Sequence, residues 1–166
     1  MIVLGVDPGT QVTGYGIVDG ATSSAMRLVE CGVIRTQARD PLPSRLKEIH
    51  DGISDLLKRH RPDVLSVEDV FYARNVRTTV TLGHARGVIL LAGQQAGVRV
   101  HEMSPAEIKK SVVGSGAATK EQVQFMLTRL LRLRSIPKPS DAADGVAAAL
   151  AYMMGSHLES VAARAR

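Results

Sequence analysis

The stretch IVLGVDPGTQVTGYGIV, residues 2–18, decides the fold. Its first five residues form an unbroken apolar run, which is typical of a strand buried on both faces of a sheet. Pro8 and Gly9 indicate a turn, and residues 12–18 indicate a second strand. Because the first strand ends in Asp7, the sequence predicts a carboxylate at the carboxyl end of a buried strand.

Two roles are open to Asp7. A carboxylate is costly to desolvate, so one at a buried strand end is usually accompanied by a metal ion or another cation. The alternative is that Asp7 caps the turn at Pro8 and Gly9, as aspartate often does. This stretch alone does not decide between the two roles.

The bulk composition favours one domain and a polyanionic partner. A chain of 166 residues with 45% hydrophobic and 22% charged residues has enough material for one core. We expect a single domain over residues 1–155 and a basic tail over 156–166, which either continues the last helix or frays. The formal charge of +5 favours nucleic acid as a partner, although a generic basic protein would show the same charge.

Several protein classes are disfavoured by the sequence. Cys31 is the only cysteine, which excludes an intramolecular disulfide and a zinc site made of several cysteines. Asp7 interrupts the apolar start, and no basic residue precedes it, so no signal peptide is expected. No uncharged stretch reaches about 18 apolar residues, the length of a membrane span. We therefore expect a cytoplasmic protein without a membrane segment.

The remainder of the chain predicts one more strand, then alternating helices and strands, then helices. Apolar spacing indicates the elements, and capping boxes at Ser104 and Thr119 mark two helix starts. The prediction is an α/β fold with a mixed five-stranded sheet, three antiparallel strands followed by parallel ones, and helices on both faces. The predicted strands are 28–36, 63–67 and 98–102, and the predicted helices are 41–61, 78–95, 104–113, 119–131 and 140–154.

Further carboxylates repeat the position of Asp7. Glu68 follows the strand at 63–67, and Asp141 and Asp144 are three apart on one face of the last helix. Acids in a first helical turn commonly serve the helix dipole. However, the alanines around Asp141 and Asp144 would let this helix lie very close to another surface.

Together these four carboxylates predict a metal site. An all-oxygen ligand set suits Mg²⁺ or Mn²⁺ and does not suit zinc. Two such ions about 3.5–4 Å apart can activate a water and stabilise a leaving oxygen in phosphodiester hydrolysis. Each single carboxylate is weak support, and their combination carries the hypothesis.

Four motifs, in this order and spacing, resemble the RuvC-type Holliday junction resolvases. They are DPGTQVTGYGIV at 7–18, SVEDVFYARN at 66–75, VVGSGAATK at 112–120, in the run that starts at Lys109, and SDAADGVAAAL at 140–150. The resemblance implies a ribonuclease H-like fold and a homodimeric, metal-dependent endonuclease that cuts four-way DNA junctions symmetrically. It also implies Mg²⁺, with Mn²⁺ as a substitute, two ions per site, and the RuvA–RuvB branch-migration complex as a partner. The catalytic and metal-binding residues that it implies are Asp7, Glu68, Asp141 and Asp144.

The resemblance also implies DNA-binding residues. Loop aromatics often pack on the core, and lysines beside a turn are often only solvated. A resolvase would instead use an aromatic at Phe71 and lysines at Lys109 and Lys120 against DNA. Further candidates for DNA contact are Arg74, Arg77 and Lys110, while roles for Tyr72 and Glu102 stay open.

The helix at 78–95 predicts a homodimer. Its apolar run at 88–92 points in all directions around the helix axis, and one sheet face cannot cover it. The alternative is that the helices after Ser104 cover the excess within one chain. A two-fold dimer would supply two identical sites to a junction that itself has two-fold symmetry.

Three other functions are compatible with parts of the sequence. Another ribonuclease H-like nuclease, acting on RNA–DNA hybrids or flaps, would share the chemistry. Actin-like ATPases and sugar kinases also begin with an Asp-x-Gly-Thr turn, but they need two large domains and the chain is too short. A DNA-binding module without catalysis is disfavoured because clustered acids repel DNA unless a metal intervenes.

Overall fold

A five-stranded sheet forms the centre of the computed structural model, which describes residues 1–20, 25–69 and 76–164, with side chains described as far as 156. The spatial order of the strands is β3-β2-β1-β4-β5. The strands are β1 (Ile2–Asp7), β2 (Val12–Asp19), β3 (Arg27–Arg35), β4 (Val64–Glu68) and β5 (Arg99–Met103).

Strand pairing follows the predicted mixed pattern. Strand β2 lies antiparallel to both β1 and β3, whereas β1–β4 and β4–β5 are parallel pairs. Val6 is level with Val67, so Asp7 and Glu68 follow side by side at the carboxyl edge of the sheet. The predicted fold class is confirmed, and the two strand-end carboxylates share one edge.

Helices cover both faces of the sheet. The large aliphatic side chains of α1 and α2 pack on one face, and α3, α4 and the alanine-rich part of α5 pack on the other. The helices are α1 (Leu42–His60), α2 (Val76–Gln95), α3 (Pro105–Val113), α4 (Lys120–Leu130) and α5 (Ser140–Arg164). None of the helices in the described residues is long and apolar enough to cross a membrane.

Most helix limits match the sequence prediction. Ser104 and Thr119 each begin a helix with a complete capping box, as predicted. Helix α2 starts two residues earlier than predicted. The sequence predicted α5 as far as about Met154 and left open whether the tail continues as helix, and the helix does continue to Arg164. Residues 156–164 are therefore helical, while the division of the chain at 155 stays a prediction.

Helix α5 lies unusually close to β1 and β2. A Cβ atom at Gly14 would overlap the carbonyl of Asp141, and one at Gly145 would overlap the main chain of Tyr15. Only glycine allows this approach. The buried hydroxyl of Ser66 adds a polar link, donating to the carbonyl oxygen of Ala148 at 3.0 Å. These contacts fix the start of α5 over the carboxyl end of β1 and the adjacent amino end of β2.

Candidate active site

The turn after β1 is held rigidly. The Thr13 side chain is fully buried, and its hydroxyl donates to the carbonyl oxygen of Gly9 at 2.6 Å. From α1, the Arg45 guanidinium donates to the carbonyl oxygen of Thr10 at 2.5 Å. The turn therefore does not depend on Asp7 as a cap among the contacts described, which leaves the Asp7 carboxylate for another role.

Carboxylates from three elements meet in one cavity of about 260 Å³. Asp7 and Glu68 come from the strand ends, and Asp144 comes from the first turns of α5. We call this cavity the acidic pocket. It is lined by Asp7, Glu68, Lys109, Lys120 and Asp144, with Pro105, Ile108, Val123 and Ala147 completing its wall.

Burial and mutual repulsion make these carboxylates costly to ionise. Desolvation, followed by the charges of Glu68 and the α5 acids, raises the pKa of Asp7 to about 8. Desolvation and the charge of Asp144 raise the pKa of Glu68 to about 7. Desolvation also raises the pKa of Asp144, although Lys120 opposes that change. The pocket holds more carboxylate charge than its own cations neutralise.

Lys120 and Lys109 are the cations of the pocket. The Nζ of Lys120 donates to Oδ2 of Asp144 at 2.6 Å. Burial lowers the pKa of Lys120, but the hydrogen bond and the charges of the neighbouring carboxylates raise it by more. Lys109 lies on α3, and its charge lowers the pKa of Glu68. Both predicted lysines thus lie beside the predicted acids.

The donor set of the pocket fits a hard divalent cation. Every acidic side chain that lines the cavity offers only carboxylate oxygens, the ligands that Mg²⁺ and Mn²⁺ prefer. In the described residues, no three His, Cys, Asp or Glu side chains already form a metal-binding cluster. Asp7, Glu68 and Asp144 could hold such a cation, with Lys120 as the present counter-ion of Asp144.

The other predicted site residues lie in different places. Asp141 is half-buried beside the pocket and does not line the cavity, yet its charge contributes to raising the pKa of Asp7. Lys110 and Arg77 are exposed and lie outside the cavity lining. The predicted contacts at Phe71, Tyr72 and Arg74 lie outside the described residues.

An arginine next to the pocket was missed by the sequence analysis. The Arg86 guanidinium on α2 forms ion pairs with Asp69, at 3.3 Å, and with Glu102. The Asp69 amide also donates to the carbonyl oxygen of Met103 at 2.8 Å. These contacts hold the ends of β4 and β5 together, immediately after Glu68. The available signal was a cation in the apolar middle of α2, together with acids at or just after the ends of two adjacent parallel strands.

A larger cavity of about 640 Å³ lies elsewhere, between α1 and the end of α2. It is near Pro62 and Val98, at the amino ends of β4 and β5. Ligands of open α/β sheets bind at the carboxyl ends of strands, which is where the acidic pocket lies. The acidic pocket is therefore the stronger candidate for a catalytic site.

Comparison with known proteins matches this geometry to one family. The family model "Crossover junction endodeoxyribonuclease RuvC" matches residues 3–152.

The chain belongs to the RuvC family.

Relatives in this family span nearly the whole chain. A Brevibacillus brevis crossover junction endodeoxyribonuclease RuvC is 46% identical over 152 residues, covering 92% of this chain and 91% of the relative. A Thermus thermophilus RuvC structure in complex with a Holliday junction substrate superposes with a TM-score of 0.91 at 33% identity, covering 96% of each chain. The resemblance that the four sequence motifs predicted is confirmed.

A more distant structure supports the RuvC fold alone. The yeast mitochondrial Holliday junction resolvase Ydc2 superposes with a TM-score of 0.67 at 14% identity, covering 95% of this chain and 82% of that one.

Proposed function

We propose that this chain is a metal-dependent endonuclease that resolves four-way DNA junctions by paired, symmetric nicks during recombination and repair. One observation carries the proposal. Asp7, Glu68 and Asp144 lie half-buried together at the carboxyl edge of the sheet with too few cations to neutralise them. Membership of the RuvC family and the Thermus relative solved with a junction substrate support the same activity.

The proposed cofactor is Mg²⁺, with Mn²⁺ as a substitute and two ions per pocket. Asp7, Glu68, Asp141 and Asp144 would hold them, since all four contribute negative charge at or beside the cavity. When bound, the ions supply Lewis-acid activation of a water and stabilisation of the leaving oxygen. Asp7 has the central role in this arrangement, because its carboxylate interacts with Glu68 on one side and with the α5 acids on the other.

The proposed role of Lys109 and Lys120 is to hold the phosphate that is cut. Both ammonium groups line the pocket beside the carboxylates. A phosphodiester entering the pocket would meet them as its natural counter-ions. We further propose DNA contacts by Phe71, Arg74, Arg77 and Lys110 on the basis of the family resemblance, together with the RuvA–RuvB complex as a partner.

A homodimer through α2 is the second part of the proposal. Residues 76, 80, 83, 87 and 91 recur at helical spacing and form one stripe along the helix. The valines at 76 and 80 are 76% and 54% exposed, and Leu91 is 49% exposed. Gly83 and Gly87 have open space where a side chain would be. An exposed apolar stripe with two glycines suits close packing against a second copy of the same helix.

The dimer can be tested with one charge on this stripe. Leu91→Glu should give monomers in sedimentation experiments and abolish paired nicking, because two matched sites are needed. Val29→Glu is the matched control, since Val29 is 42% exposed but lies on β3. Ile89, on the same helix, is fully buried against the sheet, so a charge there would test folding instead. A wild-type monomer that still makes paired nicks would disprove the dimer.

The activity can be tested with synthetic DNA. Wild-type protein should cut a four-way junction at two symmetric positions in Mg²⁺ and should not cut it in EDTA. A flap and an RNA–DNA hybrid of matched length serve as competing substrates, and mapping to the nucleotide gives the cut positions. Preferential cutting of the flap or the hybrid would assign the pocket to another nuclease activity.

A further inference from the structure

We propose that the surface formed by α4 and the loop before α5 binds the phosphate backbone of a duplex arm next to the cleavage position. This inference rests on the proposed function, since the arm belongs to the junction that is cut. We call this the α4–α5 surface. It consists of Phe125, Arg129, Arg132, Arg134, Ile136 and Lys138.

The charge of this surface is entirely positive. Residues 122–140 contain four Lys or Arg residues and no acidic residue. All four cations are exposed. The ion pairs formed within the described residues involve other cations. The surface is thus a group of basic side chains without acidic partners in the described part of the chain.

Helix α1 shows how an ordinary solvated face of this protein differs. There, exposed cations pair with acids one turn away, Lys47 with Asp51 at 2.5 Å and Arg59 with Asp55 at 2.8 Å. A helix face that only meets water mixes both signs in this way. The α4–α5 surface lacks such pairing, which indicates an anionic partner from outside the chain.

Exposed apolar side chains accompany these cations. The chain has two phenylalanines, and Phe125 is 55% exposed. The guanidinium carbon of Arg129 lies 5.2 Å from the centroid of its ring, within the range of a cation–π contact. Ile136 beside it is 41% exposed. The ring holds the guanidinium in place, so less side-chain freedom is lost when Arg129 meets a phosphate.

The position of the α4–α5 surface indicates that its partner is a duplex arm of the DNA. Helix α4 begins at Lys120, whose ammonium group is paired with Asp144 in the acidic pocket, and Lys138 is two residues before the start of α5. The 11 residues of α4 extend away from the pocket for about 16 Å at ~1.5 Å per residue. Phosphates along one strand rise by about 3.4 Å each, so this distance corresponds to about five nucleotides.

A duplex is stiff over this distance, since its persistence length is about 150 base pairs. An arm whose cleavage position lies in the acidic pocket can therefore bring phosphates about five nucleotides away against the α4–α5 surface. An acidic protein would match the charge of the surface equally well. It would not need the surface to lie one helix length from the pocket, and this placement favours DNA.

The first test is the salt dependence of junction binding. The double variant Arg129→Gln/Arg134→Gln removes two cations from the surface. Lys58→Gln/Arg99→Gln removes two exposed cations from α1 and β5 and is the control for net charge. Binding is measured in EDTA, so that no cleavage occurs. The surface variant should reduce the salt slope by about two and weaken binding roughly tenfold at 150 mM salt, because each lost phosphate contact contributes about 0.9 to the slope. The control should keep the wild-type slope.

The second test identifies which phosphates of the DNA contact the α4–α5 surface. A junction carries uncharged methylphosphonates about four to six nucleotides from the mapped cut in one arm. Wild-type protein and the control variant should bind it several-fold more weakly than the unmodified junction. The surface variant should bind both junctions equally, because its contacts to those phosphates are already lost.

These outcomes separate the inference from the proposed function. A salt slope equal to that of the control, or equal sensitivity of the surface variant and wild type to methylphosphonates, would overturn the inference and leave the surface to an acidic protein. Failure of wild-type protein to cut the junction in Mg²⁺ would overturn the proposed function. The binding measurements do not depend on cleavage, so each failure is recognised by itself.

Discussion

Glu30 and the carboxylates of the acidic pocket have opposite surroundings. In the Glu30 cluster, Glu30 accepts hydrogen bonds from Tyr15 at 2.9 Å and from Arg59 at 3.1 Å, and His60 lies 2.8 Å away. The Arg59 hydrogen bond is the main cause that lowers the pKa of Glu30 to about 2. In the acidic pocket, burial raises the pKa of Asp7 to about 8.

The difference separates carboxylates that stabilise the fold from carboxylates that serve chemistry. Glu30 is stabilised as an anion by cations of its own chain, so its charge favours folding. The pocket acids have high pKa values, and keeping them ionised near neutral pH costs folding free energy. A bound cation would offset this cost in folding free energy. Acids in a cleft whose pKa values are strongly shifted therefore indicate a functional site.

The largest expected effect comes from removing one pocket charge. Asp7→Asn should lower the junction cleavage rate roughly a thousandfold, because metal stabilisation of the transition state amounts to several kcal/mol. Its melting temperature in EDTA should not fall, since the substitution relieves repulsion between half-buried carboxylates. Glu30→Gln is the control and should cut within about twofold of wild type. Similar cleavage by Asp7→Asn and wild type would remove Asp7 from the site.

Metal binding should raise the melting temperature only of protein whose acidic pocket keeps its carboxylates. At a Mg²⁺ concentration of about 100 Kd, ligand linkage adds about 2.7 kcal/mol, or about 5–10 °C in melting temperature for a chain of this size. Wild type and Glu30→Gln should both show this rise, and Asp7→Asn should show much less. Equal rises in wild type and Asp7→Asn would place metal binding elsewhere.

The sequence contained most of the information that locates this site. A buried strand has a continuous apolar pattern, so its end can be located in the sequence. The positions of Asp7 and Glu68 at strand ends were therefore predicted from the sequence alone. The nearness of Asp144 depends on helix α5 lying close to β2, for which Gly14 and the alanines of α5 were the local signal. The length of α5 could not be fixed from the sequence, because Gly155 directly follows Met154 where a helix can end, and yet the helix continues to Arg164.

Contacts between distant elements could not be predicted in the same way. Arg86 is separated in sequence from both Asp69 and Glu102, and the pairing of three side chains from α2, β4 and β5 follows only from the assembled sheet. The Glu30 cluster is similar, since it joins β2, β3 and the last turn of α1. Hydrophobic periodicity predicts elements and buried faces, but it does not identify the polar partner of a given side chain.

Removing Arg86 would leave two more carboxylates, next to the acidic pocket, without a cation. Arg86→Gln leaves Asp69 and Glu102 without their shared cation. Because these two side chains are 47% and 40% exposed, we expect a loss of only about 1 kcal/mol of stability. Displacement of the adjacent Glu68 should also slow cleavage roughly tenfold, the effect typical of residues that orient metal ligands. Arg86→Lys, which keeps the charge but not the fork of donors, should be intermediate. Urea unfolding and single-turnover cleavage measure the two effects, and an unchanged rate would limit Arg86 to stability.

The smallest expected effect concerns Glu30 and pH. The Glu30 side chain is 29% exposed, so solvent weakens its ion pairs, and Glu30→Gln should lower the melting temperature at pH 7 by only about 2–4 °C. The pKa of Glu30 is about 2 in the folded protein and 4.5 in the reference state. The folded protein therefore binds this proton less readily, and the stabilisation is complete above pH 4.5 and decreases as the pH falls towards 2. The difference in melting temperature between wild type and Glu30→Gln should be constant from pH 7 to 5 and should shrink at pH 4 and 3. A difference that stays constant down to pH 3 would show that Glu30 stabilises the fold through packing and not through its charge.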